Sequence, residues 1–438
     1  MAPRLQKITT SLPLIFLIAL TLRAVPAWNY QAHTPHRGLA AVPFLFESGN
    51  IAVSLAQGHG FSSPLRLDTG PTAWMTPLYP WLLSLIMRIF GVYTFASWVA
   101  AISMNICFSS LTCIPLYFAG KRIQGVYLAA AAAWLWAIFP NAILLSYQSL
   151  WDTSLSALLG ATALWATLRI ADSASERDWT LYGLLWGIIL MANAAVLSLL
   201  PPLLGWAAYR NRQWKNAALA AAMIILACIP WTLRNYVVFH NLVPLRSTLG
   251  LQMWAGNNPQ AKVIWLGEQH PVNDASERNE YIQMGEIAYM AEKRRNAVNY
   301  ILTHPAHEAQ LIFGRFIMFW TAGTAHPIDD FLSTKSLWFR YVLLFNICEA
   351  LAAGAAIIIL IRRRSAFLVP LAAGPVIFPF AYYLTLALPR YKHPMDPTLL
   401  LLTASVLWAP TSALITPSVS AGTSPKRPDS SRPARSLR

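Results

Sequence analysis

Apolar residues in this chain come in runs too long and too unbroken to be one face of a soluble helix. Val126–Phe139, Ala217–Ile229, Leu351–Ile361 and Leu399–Ala409 are examples. A bilayer core demands about twenty mostly apolar residues per crossing, because backbone polar groups find no water there and must bond within the helix. Repeated runs of this kind, divided by short basic turns, predict an all-α, polytopic membrane helix bundle. The composition agrees: 12% of the 438 residues are charged and 56% hydrophobic, against about a quarter charged in soluble chains.

The formal charge of +15 has two readings, nucleic-acid binding or membrane topology. The positions favour topology. Basic clusters lie at Arg4 and Lys7, Lys121–Arg122, Arg210 to Lys215, Arg362–Arg364, and Lys426 to Arg438. Each borders an apolar run, as expected of cytoplasmic turns and tails. Cys107, Cys113, Cys228 and Cys348 sit in largely apolar stretches, which suits small buried hydrophobes rather than disulfides or a metal cluster. His33, His36, His59 and His270 are scattered without metal-ligand spacing.

A cytoplasmic N-terminus and the charge rule together predict about ten spans with both termini inside. Val25-Pro26-Ala27 resembles a signal-peptidase site, but Arg23 intervenes before it and the membrane pattern continues, so a retained first helix leaving near Trp28 is expected. Residues 28–93 then form an external segment, with a short interfacial helix over Pro80–Phe90. Helices follow at Phe95–Gly120, up to Pro140, down to Asp172–Asp178, as a hairpin over 179–209, and outward to Trp231. Residues 234–336 form a large external region carrying half of the chain's acidic residues. Asp274 with Glu277 predicts a capped helix over about 275–304, with an apolar stripe of Tyr281, Met284, Ala288, Ala291, Val298 and Ile301. The run 311–320 is expected to be partly embedded or re-entrant on the outer side, since a full crossing would put Arg362–Arg364 outside. A helix over Trp338–Ile361, another outward, the external turn 387–397 and a last inward helix complete a membrane domain of residues 1–415. The Ser-, Pro- and Arg-rich tail 416–438 is expected to be disordered and cytoplasmic.

Ionisable groups at a membrane boundary are costly and mark sites or pathways. Glu47 lies in the first external segment after apolar residues, where it reads as a general base or as a solvated loop carboxylate. Asp152, in Tyr147-Gln-Ser-Leu-Trp151-Asp152, is the alternative acid, or else a polar group paired inside the bundle. Arg390 offers a forked donor suited to phosphate oxygens, with Arg234 second and Lys392 and His393 as assistants. Snorkelling to the interface is the alternative for each cation. Trp254, Asn257 and Asn258 suit a sugar pocket by stacking and hydrogen bonding, although Gly256-Asn257-Asn258-Pro259 is also an ordinary turn signal.

Several fragments, in order, resemble the bacterial GT-C membrane glycosyltransferases related to protein O-mannosyltransferases and to the lipid A aminoarabinose transferase. They are an acid shortly after the first helix, Gly58-x-Gly60-Phe61, and Thr72-Ala-x-x-x-Pro77-Leu-Tyr79-Pro80. Pro230-Trp231-Thr-Leu-Arg234-Asn235-Tyr236 and Gly250-Leu-Gln-Met-Trp254-Ala-Gly256-Asn257-Asn258-Pro259 come next, then Pro389-Arg390-Tyr391-Lys-His-Pro394-Met-Asp-Pro397. One departure stands out: the first-loop acid, an aspartate in the family, is Glu47 here.

The resemblance implies transfer of a sugar from a polyprenyl-phosphate donor to an external lipid, glycan or protein acceptor, in a bacterial inner or plasma membrane. It implies Glu47 or Asp152 as catalytic acids, with Arg390, Tyr391, Arg234, Tyr79, Trp254, Asn257 and Asn258 binding substrate. Some relatives use a divalent cation; no residue spacing here argues for one, and no nucleic-acid partner is expected. A lipid-linked glycan flippase or transporter and a glycan polymerase are the competing readings. A transporter calls for matched halves and deep ionisable residues, and the halves here do not match.

Overall fold

In the computed structural model, residues 8–408 are described, except 34–43, 45, 266, 268 and 322. His36 and the tail 416–438 lie outside the described residues. The regular secondary structure among those described is helical, apart from one isolated β-bridge between Ser62 and Pro71. Among the described residues four helices are long and apolar enough to cross a bilayer: Leu12–Asn29, Phe95–Gln124, Trp214–Phe239 and Leu337–Arg362. Their outward faces are apolar, with Ile225, Leu226, Leu233 and Val237 exposed on one and Leu351, Ile358 and Ile361 on another. Patches of that extent on a helix call for lipid or protein cover. The chain is a membrane protein.

The other expected spans are shorter or interrupted: Val126–Ile138, Thr153–Ile170, Glu176–Ala192, Leu200–Arg210, Leu368–Ile377 with Phe380–Leu384, and Asp396–Trp408. Helices enclosed by other helices can be short, because protein rather than lipid meets their ends. Val126–Ile138 sits at the centre, where Ala129, Ala132, Ala133, Trp136 and Ala137 are fully buried. Small residues bring backbones close in a medium where apolar burial alone drives no helix association. Gly183 and Gly187, four apart on Glu176–Ala192, show this against Trp214–Phe239. A Cβ on Gly183 would lie 2.5 Å from the Ala220 carbonyl oxygen, and one on Gly187 2.3 Å from the Ala227 Cβ.

Three expectations need correction. The first helix runs on to His33 rather than leaving near Trp28, and segment 28–93 holds an additional helix, Glu47–Ala56. That helix contains Gly49, Asn50, Ile51 and Val53, all mediocre formers, so local propensity did not mark it; burial of Ile51 and Ala52 holds it. The outward helix predicted to end near Trp231 continues through Pro230 to Phe239. The helix expected over 275–304 is two, Ala275–Met284 and Glu286–Thr303. Asp274 does cap the first, accepting from the Ser276 and Glu277 amides. Gly285, at φ +76°, breaks the rod, a conformation glycine adopts without steric cost. The break turns the buried face: Tyr281 is followed by Tyr289, Met290 and Ala297, while Ala288 and Val298 face out.

The basic turns gather at one end of the bundle. Arg122 and Arg210 both pair with Asp172, and the Arg210 guanidinium lies 5.7 Å from the Phe367 ring, beside Arg362–Arg364. Asp152 and Ile170 bracket the 18-residue helix Thr153–Ile170, so Asp152 stands about 27 Å from this end. That is close to the thickness of a hydrocarbon core.

Buried charged groups lock the interior, Arg23 and Lys392 among them. Arg23 is fully buried and donates to Ser109 Oγ (2.7 Å) and to the carbonyls of Ala19, Trp136 and Ala137. Lys392 Nζ lies 2.6 Å from Glu349, 2.8 Å from Asn346 Oδ1 and 3.4 Å from Asp396. Asn141 donates to the same Asn346 oxygen, and His393 Nδ1 pairs with Asp396 at 2.8 Å. Breaking such a cluster by removing one partner strands buried charge at a cost of about 3–5 kcal/mol. Lys392→Met is therefore expected to lower the unfolding temperature of the detergent-solubilised protein sharply, whereas Lys121→Met, at the exposed basic end, should leave it within experimental scatter.

Candidate functional site

The Glu47 and Asp152 segments lie side by side. Ser48 Oγ donates to the Leu150 carbonyl (3.3 Å), and the Phe46 and Trp151 rings are 5.0 Å apart. Glu47 opens its helix, so its carboxylate also meets the partial positive charge of a helix N-terminus. Asp152 accepts from Ser156 Oγ (3.2 Å) and Asn193 Nδ2 (3.3 Å). Burial raises its pKa above the ordinary carboxylate value, while the Ser156 hydrogen bond, Arg246 and Arg390 pull the other way.

The last loop brings the cation. Pro389–Met395 is a 3-10 helix that sends residues two ways. Arg390 and Tyr391 face a cavity, with the guanidinium 3.8 Å from the Trp151 ring centroid and Tyr391 stacked 4.9 Å from Tyr382. Lys392 and His393 turn inward to the buried cluster and line neither cavity described below. Arg390 is thus positioned by the bundle charges next to it in sequence.

The cavity holds about 450 Å³ and is lined by Glu47, Asp152, Arg246, Arg390 and Tyr391, with Trp74 and Trp265 among its walls. A second cavity of about 410 Å³ shares Asp152, Arg246, Gln252, Arg390 and Tyr391 as a common wall. Its remaining lining is largely apolar, including Leu197, Leu245, Leu249 and Ala381. A chamber that also carries Glu47, Arg66 and His270, the more polar of the two, and a more apolar one therefore meet at one acid and two guanidinium groups.

Arg246 was absent from the sequence-based candidates. It lies outside the recognisable fragments, and only folding carries it to Asp152. Its Nε donates to Thr248 Oγ1 (2.8 Å), which donates to the Trp74 carbonyl (3.1 Å). Arg234, expected at the phosphate, is committed elsewhere. It donates to the carbonyls of Thr72 and Phe61, both at 2.7 Å, and packs on the Trp231 ring. Tyr79 is buried and donates to Asn105 (3.1 Å). Asn257 donates to the Met253 and Leu384 carbonyls, and Asn258 to that of Trp254 while its own Oδ1 accepts from the Gln260 amide. These are the bonds of a buried turn, and Tyr79, Arg234, Trp254, Asn257 and Asn258 line neither of the two cavities.

His270 completes the polar chamber. Its Nε2 lies 3.4 Å from Glu47 Oε1, its Nδ1 accepts from the Val272 amide (3.2 Å), and its ring meets Trp74 and Trp265 edge-on. Among the described residues no three of His, Cys, Asp and Glu come close enough to hold a metal ion. Burial lowers the His270 pKa below 6.5, although Glu47 and Glu277 favour the charged form. The unfolded chain therefore takes up this proton first, and His270 makes the fold less stable as pH falls through 6.5. A protonated imidazole between two indoles should quench their fluorescence with a midpoint below 6.5, and His270→Gln should remove that transition.

Comparison with known proteins bears on this arrangement. Residues 74–233 match the family model of dolichyl-phosphate-mannose-protein mannosyltransferases, a stretch that contains Asp152. No curated protein matches the chain. The Archaeoglobus fulgidus oligosaccharyltransferase AglB, in complex with an inhibitory peptide and a dolichol-phosphate, superimposes with a TM-score of 0.55 at 13% identity, over 90% of this chain and 49% of that one. The same enzyme with zinc and sulfate gives 0.53 at 14% identity, over 90% and 48%. This chain thus spans about half the length of those relatives. ArnT from Cupriavidus metallidurans, bound to undecaprenyl phosphate, aligns over 84% of this chain and 76% of its own with 12% identity and a TM-score of 0.37. The chain is an all-α membrane protein of the GT-C fold.

Proposed function

We propose that the protein is a glycosyltransferase that moves a sugar from a polyprenyl-phosphate donor to an acceptor hydroxyl at the external face of the membrane. The observation that carries this reading is the meeting of Asp152, Arg246 and Arg390, from segments far apart in sequence, on the wall shared by two cavities, with Glu47 lining the more polar of them. A donor of this class has the same two-part character. Its prenyl chain suits the Leu197–Leu245–Leu249 side, its phosphate the paired guanidiniums, and its sugar the chamber walled by Trp74 and Trp265. The match of residues 74–233 to a mannosyltransferase family supports the reading, as do the lipid phosphate and peptide named for AglB. The cavity lies about one bilayer core from the basic turns, which supports an external site with cytoplasmic basic turns.

The chemistry follows from the groups present. Glu47 removes the proton from the acceptor hydroxyl as its oxygen attacks the anomeric carbon. The bond from that carbon to the phosphate oxygen breaks, and the lipid phosphate leaves with the electron pair. Arg246 and Arg390 stabilise the charge that grows on it, which is where prearranged electrostatics contribute most. Arg390 is suited to this by its fork and is held in place on Trp151. Asp152, between the two cations, sets their spacing and keeps them from repelling each other while the donor is absent. A carrier reading fits less well, because the deeply buried charges near Lys392 are closed into internal pairs rather than lined along a path.

Mass analysis of glycolipids and envelope glycans from cells with and without the protein tests this reading. A glycan that disappears on deletion, returns with the wild-type gene and stays absent with Glu47→Gln is the expected result. With purified protein, that variant should insert normally and lose about 10²–10⁴ in turnover, the usual weight of a general base. An unaltered glycan profile on deletion would refute the proposal. Arg390→Lys keeps the charge but not the fork, and is expected to raise the donor concentration needed for half-maximal rate.

A further inference from the structure

Glu286 is a buried carboxylate outside both cavities, yet it is the most heavily bonded acid among the described residues. One oxygen accepts from the Ala73 amide and Ser247 Oγ, both at 2.7 Å. The other accepts from Tyr281 OH (2.9 Å) and from Thr72 Oγ1. It therefore joins the first external segment to the strand of chain that follows the helix Trp214–Phe239. The two are further stitched by the Ser247 amide on the Ala73 carbonyl (2.9 Å) and Thr248 Oγ1 on the Trp74 carbonyl (3.1 Å). Arg234 grips the same place from behind, through the Thr72 carbonyl.

The residues held this way are the immediate neighbours of the cavity wall. Trp74 follows Ala73, and Arg246 precedes Ser247. Both line the polar chamber, and Arg246 reaches the apolar one as well. No hydrogen bond or ion pair among the described residues joins either cavity-lining side chain to Glu286; the carboxylate acts on them through the backbone it clamps and, for Trp74, also through Tyr281, whose ring meets the indole edge-on.

We infer that Glu286, with Arg234 and Thr72, is a positioning brace that sets where Arg246 and Trp74 stand in the donor site. The inference deepens the donor reading above and rests on it for the role of Arg246. It also gives Thr72-Ala73 and Arg234, two recognisable fragments distant in sequence, one shared purpose. A buried carboxylate with two donors on each oxygen is rigid, because it is held from four sides, and the loss of one donor still leaves each oxygen a partner.

The test is a double-mutant cycle on the full chain in lipid nanodiscs, with undecaprenyl phosphate as the titrated probe. Ser247→Ala removes one of the four bonds and is mild enough to fold. It should weaken binding about five-fold, the weight of one hydrogen bond, and leave the unfolding temperature nearly unchanged. Arg246→Ala should weaken it more, and the double variant no further than Arg246→Ala, because Ser247 acts through Arg246. In parallel, Glu286→Gln should speed amide hydrogen exchange in both 72–74 and 245–248. Losses that add in the double variant, or faster exchange at only one of the two segments, would overturn the brace while leaving the donor reading intact. A parent protein that fails to bind the lipid phosphate at all would overturn both.

Discussion

A lysine enclosed by two carboxylates in a helix bundle is stable only if the pairing is complete, since each ion taken out of water costs several kcal/mol. Lys392 meets that condition through Glu349, Asp396 and Asn346. The consequence reaches beyond stability. Lys392 and Arg390 share one short 3-10 helix, so locking the first into the bundle aims the second at the cavity. The external loop before the last helix is for this reason not free to wander, and Arg390 can stack on Trp151 beside Asp152.

The rest of the site is assembled by the same logic of satisfying buried polar groups. Ser48 ties the Glu47 helix to Leu150, Asn193 and Ser156 hold Asp152, and Glu286 ties the Trp74 and Arg246 segments together. Apart from the Ser156 bond, each tie joins segments far apart in the chain, and each ends on, or within two residues of, a side chain that lines a cavity. Membrane helices alone supply a scaffold with little directional preference. The hydrogen bonds at their ends give the geometry its precision, because an unsatisfied polar group there has no solvent to turn to.

Glu47, Asp152 and Arg390 were visible as candidates because ionisable groups bordering apolar runs are few and costly. Arg246 was not, since nothing local separates it from a snorkelling arginine. Arg234 stood second to Arg390 from its place in a motif, and the fold puts its guanidinium on the Thr72 and Phe61 carbonyls. Asn257 and Asn258 were ambiguous between pocket and turn, and the carbonyls around them place them in the turn. The helix expected over 275–304 ran through Gly285, and only the positive φ there reveals the break.

By itself the sequence determined the membrane class, the helical content, the positions of the basic turns and the acids worth attention. These follow from the length of apolar runs and the cost of charge in lipid, which are properties of short stretches. The tertiary structure alone decided which cation stands beside which acid, that two cavities share one charged wall, and that Arg234 lies on backbone carbonyls outside both cavities. Those are contacts between residues up to hundreds of positions apart, and no local pattern encodes them, because the energy that selects them exists only once the chain is packed.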